Sequence, residues 1–264
     1  MRRFDALVHI TADGRWLGTS RHDASLNRLV AEMDAAEVER ACLVGIAGYA
    51  DNETLEAAAR LYPRRFVPIA GFNPAEFAAI GDIEARVGEL ARRGFAGIKL
   101  HPRLNDYDPL DPRCLAAIDA AGRHGLPAMI CTLFRRPTAA TRHPSDVVDR
   151  IATSCRNTRV VLLHGGGSAI RDLFELVRMH EHLLLDVSFS IMRYAGSSID
   201  LDLRFAFDQL DQRTVVGSDF PEYAPRSVYD RVNELTMGLS TTQRENILFR
   251  NLTRLFQPWI GYQS

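Results

Sequence analysis

Eight apolar runs punctuate the chain, at 4–10, 40–47, 66–72, 95–101, 127–134, 160–165, 183–189 and 214–219. Their starts lie about 23 to 36 residues apart, enough for a crossover helix each time. Most are continuous rather than alternating, the pattern of parallel strands covered on both faces. The segments between them read as helices. In 76–93, Ile83, Val87, Leu90 and Ala91 recur at helical spacing and Gly94 supplies a stop. Asp111 and Pro112 form a cap and first turn ahead of Leu115, Ile118 and Ala121, a helix ending at His124 and Gly125. Pro144 opens another helix carrying Val147, Val148 and Ile151, and 168–180, 226–238 and 241–256 behave similarly. This alternation predicts a (β/α)8 TIM barrel, with parallel strands inside a ring of helices, as one domain over 1–264. A doubly wound open sheet is the competing architecture, but it would usually carry a glycine-rich phosphate loop after its first strand, and residues 10–20 contain none.

In such a barrel, side chains of period two point inward and those at the carboxyl ends of the strands form the active mouth. The first run closes on His9, the fourth on Lys99 and His101, the sixth on His164 and the last on Asp219. The phase predicts that Asp5, Leu7 and His9 share a face, as do Lys99 with His101, Leu162 with His164, and Gly217 with Asp219. Asp186 and Ser188 in the seventh run match it.

Bulk properties narrow the function. The 264 residues carry a net charge of -1 and are 46% hydrophobic, a balance that argues against nucleic-acid and polybasic membrane partners. No apolar stretch reaches the roughly 18 residues of a membrane span, and Arg2-Arg3 followed at once by a strand-like run argues against a signal peptide. Cys42, Cys114, Cys131 and Cys155 show no CxxC spacing and read as free thiols in a reducing, cytoplasmic setting. Lys99 is the single lysine among many arginines. A coding bias toward arginine accounts for the imbalance, but less well for the survivor's position beside His101. A desolvated lysine can release a proton near neutral pH, whereas arginine cannot.

Five motifs and their order resemble the amidohydrolase superfamily, in the branch that includes the aminocarboxymuconate-semialdehyde decarboxylase-like and pyrone-dicarboxylate lactonase-like enzymes. They are Asp5-x-Leu7-x-His9, Gly97 through Pro102, Leu126 through Cys131, Leu163-His164-Gly165-Gly166-Gly167, and Gly217-Ser218-Asp219-Phe220-Pro221. The tail from Glu245 to Phe256 resembles the family's closing helix. The resemblance implies a divalent metal held by an HxH on the first strand, a fifth-strand histidine and the eighth-strand aspartate, with a sixth-strand histidine as acid or base. His9, His164 and Asp219 carry over. Leu7 stands where the first histidine would be, and Cys131 where the fifth-strand histidine would be. Zinc accepts mixed His/Cys/Asp sets, so His9, Cys131 and Asp219 could form a three-ligand site. Two ligands changed at once favour the opposite reading, a barrel without tightly held metal in which Cys131 is a small buried hydrophobe.

Asp219 and His164 are therefore the candidate acid/base pair, with Lys99 as a charge partner or proton donor. Without a metal, burial would raise the Asp219 pKa and suit it to proton transfer. His101, Ser188, Arg103, Arg135, Arg136 and Arg193 are candidate substrate contacts, the arginines suited to bidentate carboxylate binding, with Phe134, Phe189 and Tyr194 as walls. His180 and His182 sit at the wrong end of a strand for catalysis, and His22, His124 and His143 read as loop or helix-end residues. The leading expectation is an enzyme acting on a small carboxylated molecule by hydrolysis or C–C lysis such as decarboxylation. A metal-free cyclase, dehydratase or isomerase is one alternative; a catalytically silent ligand- or partner-binding relative is another. Trp259 and Tyr262 either pack on a second subunit of a homodimer or cover the base of the barrel.

Overall fold

The computed structural model describes residues 1–135 and 142–261, so Arg136 and Tyr262 lie outside the described residues. Each apolar run holds a strand: β1 (Phe4–Val8), β2 (Arg40–Val44), β3 (Phe66–Phe72), β4 (Gly97–Leu100), β5 (Ala128–Cys131), β6 (Val160–Leu163), β7 (Leu183–Asp186) and β8 (Thr214–Val215). They pair in sequence order in one parallel, 8-stranded sheet. The ring closes beyond the end of β8, where Ala6 N–H donates to Val216 O (2.9 Å), Asp219 N–H to Leu7 O (2.9 Å) and His9 N–H to Phe220 O (2.8 Å). Eight strands with a helical ring make this a (β/α)8 barrel.

The helices begin where the chain supplies caps. Ser25 starts α1 (Leu26–Ala35), Asp51 starts α2 (Asn52–Leu61), Asp111 with Pro112 starts α4 (Pro112–Arg123), and His143 starts α5 (Pro144–Ser154), each through a side-chain acceptor for a first-turn N–H. Between them α3 runs over Ile80–Arg92. The helix predicted from residue 76 starts only at Ile80, because Pro74–Glu76 form a separate 3-10 turn capped by Asn73. Likewise α6 (Ile170–Met179) starts two residues late, because Ser168 and Ala169 belong to the preceding 3-10 stretch His164–Ala169, with Ala169 as the helix cap. The ring is completed by α7 (Ile199–Gln209), α8 (Pro225–Leu235) and helical turns over 241–261. A two-stranded hairpin of Arg15–Trp16 and Thr19–Asp23, not foreseen from the pattern, follows β1.

Two cores flank the sheet. Inside the barrel lie Ala6, Val44, Ile69, Met129, Val161, Leu163 and Val215, continued at the base by Phe249, Leu252 and Phe256. Outside, Leu43, Ala70, Ile98, Leu100, Ile130, Leu162, Leu185 and Val216 pack on helix residues such as Met33, Val87, Ile118, Val147, Leu173, Phe207 and Val232. Trp259 packs against the inner cluster and donates its indole N–H to Gly94 O (2.7 Å), covering the barrel base within the chain.

This partition fixes which side chains face inward. Ile98 and Leu100 lie outside, so Lys99 and His101 have the inward phase predicted for them. On β6 the prediction is one residue out: Val161 and Leu163 are inside and Leu162 is outside. His164 reaches the mouth only because its own backbone turns left-handed, at φ 68.

Candidate active site

Six ionisable side chains gather at or just past the carboxyl ends of the strands, each 7% exposed or less: His9, Lys99, His101, Cys131, His164 and Asp219. His9 leaves β1 with its Nδ1–H donating to Val44 O (2.6 Å), which turns Nε2 toward Asp219 Oδ1 at 3.5 Å. The indole of Trp16, brought over by the hairpin, stacks on this imidazole with ring centroids 4.9 Å apart. Trp16 is itself held by its N–H on Glu222 Oε1 (2.6 Å). His22 of the same hairpin faces Glu222 Oε2 at 3.9 Å.

Cys131 ends β5 and is flanked from both neighbouring strands. The pairing of Leu100 with Ile130 puts His101 level with Cys131, and Cys131 is itself in register with Leu163, the residue before His164. Leu104 N–H donates to His101 Nδ1 (3.2 Å), so the proton of that ring sits on Nε2. His164 is oriented the other way round. Its Nδ1–H donates to Ser188 O (3.2 Å), its backbone N–H to Asp186 Oδ2 (3.1 Å), and its carbonyl accepts from Ser190 Oγ (2.7 Å). Ser188 Oγ in turn donates to Asp186 Oδ2. With Nδ1 engaged on each ring, Nε2 of both His101 and His164 is the atom left to hydrogen-bond Cys131.

The charges follow from these pairings. Burial would push the Cys131 thiol up, but the charges and hydrogen bonds of His101 and His164 outweigh it and hold the thiol well below its ordinary value. Burial also works against a charged His164, yet Cys131 and Asp219 prevail and raise its pKa above the usual imidazole value. His101 is lowered, chiefly by burial. Lys99 is lowered as well; desolvation outweighs the pull of Cys131, Asp219 and Asp186. Asp219 corrects the sequence-based expectation. Burial alone would raise it, but the hydrogen bond from His9 and the positive charges around it bring it down to about 2. It stays a carboxylate and is a poor proton acceptor by itself.

Three mouth residues hold the left-handed backbone that L side chains rarely adopt: His164 (φ 68), Phe189 (φ 61) and Asp219 (φ 57). Each costs on the order of 1 kcal/mol or more, and such strain gathers at functional sites.

The donor set does not fit the metal that the sequence motifs imply. Among the described residues no group of three His, Cys, Asp or Glu side chains is arranged to hold a metal ion. The proposed ligands are drawn into different pairings, His9 with Asp219 and Cys131 with His101 and His164. Leu7 is fully buried in the inner apolar core, and its backbone carbonyl serves the closing strand.

The substrate-contact candidates separate. Arg103 and Arg135 line a cavity of about 760 Å³ together with Thr132, Phe134, Gly166 and Tyr194. Among the described residues neither guanidinium pairs with a carboxylate. Arg193 lies elsewhere, exposed after β7 and acting on Tyr223. Ser188 is fully buried behind His164, so it positions that ring instead of contacting a ligand. His101 is turned in toward Cys131, buried against the barrel interior. His143 caps α5, His124 meets Glu84 at 3.0 Å between α3 and α4, and His180 and His182 meet edge to face at the amino end of β7. Trp16 and Glu222 went unseen in the sequence reading, since the hairpin that carries Trp16 has no apolar alternation.

A (β/α)8 barrel with its ionisable residues gathered at one mouth has the architecture of a barrel enzyme. The amidohydrolase family model matches residues 12–257, and the chain belongs to that family. No curated protein sequence matches it. Among solved structures, an uncharacterized TIM-barrel protein from Bordetella bronchiseptica superposes with a TM-score of 0.82 at 19% identity, covering 99% of this chain and 100% of that one. A probable 2-pyrone-4,6-dicarboxylic acid hydrolase from Acinetobacter baumannii, with citric acid bound, gives 0.70 at 15% identity over 97% and 100%. The 2,6-dihydroxybenzoate decarboxylase from Rhizobium gives 0.73 at 14% over 98% and 99%. At these identities the likeness is one of fold.

Proposed function

We propose that the chain is an enzyme acting on a small carboxylated organic molecule by hydrolysis or C–C lysis, with His164 as the general acid and base. One observation carries the reading: Asp219 and His9 at 3.5 Å, in electrostatic contact with His164 and Lys99, within a single mouth of the barrel. Such convergence of strand-end side chains is how barrel enzymes assemble their chemistry.

The roles follow from the pairings above. His164, oriented by Ser188 and Asp186, carries a proton toward the cavity side. Asp219 remains ionised, stabilising the protonated form of His164 and holding His9 in place. Lys99 adds positive charge beneath them, where a substrate carboxylate or a developing anion would be stabilised. Arg103 and Arg135 supply the planar donors that a carboxylate accepts in pairs. Two of the similar structures bear the names of enzymes for carboxylated rings, a 2-pyrone-4,6-dicarboxylic acid hydrolase and a 2,6-dihydroxybenzoate decarboxylase, which supports this substrate class. No step requires a metal, and none is assigned to one.

Turnover assays on a panel of small aromatic and pyrone carboxylic acids test the reading. His164→Asn is expected to lower kcat by about a hundredfold or more, and wild-type kcat should decline on the alkaline side at a pH above the ordinary imidazole value, where His164 loses its proton. Activity that is indifferent to His164→Asn would end the assignment.

A further inference from the structure

The disagreement with a metal site leaves Cys131 to be explained. Its position is that of an aimed side chain. It ends β5 with the inward phase of Met129, level with His101 on β4 and one residue below His164 on β6. Both rings have Nδ1 committed to other partners, Leu104 N–H for His101 and Ser188 O for His164, which leaves Nε2 of each as the atom free to serve the sulfur between them. The other three thiols lack this setting; burial dominates Cys42, Cys114 and Cys155 and pushes each of them up. The residues that directly follow the cluster line the neighbouring cavity: Thr132 after Cys131, Arg103 two beyond His101, and Gly166 two beyond His164. Thr132 ties the two loops together, donating to Leu163 O (2.5 Å) and accepting from Gly166 N–H (2.7 Å).

We propose that Cys131 is a nucleophile, paired with His164 as its acid and base, and that the site hydrolyses an ester or lactone carrying a free carboxylate through a covalent thioester. This rests on the reading of the mouth as an active site. The Cys131 sulfur attacks the carbonyl carbon, and the C=O π pair moves onto oxygen. Collapse of that adduct breaks the bond to the leaving oxygen, which takes the proton from His164 Nε2 and becomes an alcohol or enol, departing from an ester and remaining tethered to the acyl group of an opened lactone. The neutral ring then removes a proton from water, whose oxygen attacks the thioester. The C–S bond breaks, a carboxylic acid leaves, and the thiolate faces a protonated His164 again. Water is the only co-reactant. His101, fixed as the Nε2–H tautomer and level with Cys131 on the neighbouring strand, acts as a positioning residue for the sulfur. Arg103 and Arg135 would receive the substrate's free carboxylate.

The test uses p-nitrophenyl acetate as an acylating probe and iodoacetamide as an alkylating one, both on the full-length protein. Acid-quenched intact mass and peptide mapping should find one acetyl group, on Cys131, formed with a burst of p-nitrophenol. Cys131→Ala and the near-isosteric Cys131→Ser should lower the burst rate by about a hundredfold or more, with circular dichroism reporting their fold. Iodoacetamide labelling of Cys131 should fall less between pH 8 and pH 6 in the wild type than labelling of a free thiol does, and should fall more steeply in His164→Asn. His101→Gln should steepen the pH dependence of that labelling and slow the burst, but by less than His164→Asn does. Acetylation spread over the other cysteines, or a burst that survives both Cys131 variants, overturns the proposal. If turnover of carboxylated acids persists in Cys131→Ala but is lost in His164→Asn, the nucleophile falls while the acid/base reading stands. If neither variant affects turnover, both fall.

Discussion

Asp5 and Asp219 are buried carboxylates from opposite ends of the chain, Asp5 accepting from the N–H of Ser218 beside Asp219, and they titrate in opposite directions because of what surrounds them. Asp219 has imidazole and ammonium neighbours and is held at about 2. Asp5 has two backbone donors on Oδ1, Leu7 N–H (3.1 Å) and Ser218 N–H (2.9 Å), but its Oδ2 has no hydrogen-bond partner among the described residues, and desolvation raises its pKa to about 7. The two therefore pull stability in opposite senses. Below about pH 4 Asp5 is protonated in both folded and unfolded chains. Between there and about 7 the folded chain keeps a proton that the unfolded chain has released, so stability falls as pH rises, and the loss is complete above about 7. Asp219 contributes stability above about pH 4 that disappears as pH falls toward 2. Replacing Asp5 with Asn keeps the acceptor for Leu7 and Ser218 and removes the titration. Urea unfolding at pH 5 and pH 8 is expected to show the wild type losing on the order of 3 kcal/mol relative to Asp5→Asn between those conditions; parallel curves would mean Asp5 ionises freely in the folded chain.

At the scale of elements, the decisive junction is where the last strand returns to the first. Gly217 lies against Leu7 so closely that a Cβ there would meet Leu7 N at 2.5 Å and Leu7 Cβ at 2.9 Å. That contact sets the Asp219 N–H to Leu7 O bond two residues on, and with it the pairing of Asp219 with His9. Gly217→Ala should therefore cost about 1 to 3 kcal/mol and reduce activity, whereas Gly238→Ala, with nothing within 4 Å of its would-be Cβ, should change stability by about 0.5 kcal/mol or less. Equal effects in thermal melts of the two variants would remove the closure argument. The same junction explains what the sequence could and could not tell. Runs of Val, Ile and Leu made all eight strands readable, because strands covered on both faces are apolar whatever their register. Alternation located Lys99, His101, Asp186 and Ser188, whose strands keep period two. It misplaced the phase of β6, since His164 departs from that period at a left-handed residue that no apolar pattern encodes. It also left the Asp219 pKa inverted and the Cys131 partners unseen, because both depend on which distant strand ends become neighbours, a property of closure and not of any one segment.

For the whole molecule, the barrel separates what it does from what holds it together. The ionisable cluster sits at the strand ends, while the inner core at the base is apolar and is sealed by the C-terminal turns. Phe4 of β1 meets Phe249 and Phe256 with ring centroids at 6.1 and 6.3 Å, and Phe256 is 1% exposed. Truncating a buried phenylalanine costs about 3 to 5 kcal/mol, a large share of the roughly 5 to 15 kcal/mol that stabilises a domain. Phe256 nevertheless belongs to the inner apolar cluster with Val44, Ile69, Met129, Val161 and Val215, not to the ionisable group at the mouth. Phe256→Ala should thus lower Tm substantially yet leave kcat close to wild type when assayed well below the new transition, and leave unchanged the pH dependence set by His164. Conservation at the base of a barrel serves stability, and chemistry belongs to its opposite end. A Phe256→Ala protein that remained fully folded by circular dichroism but lost its activity would show that the two ends are coupled through the core, and the division between them would have to be abandoned.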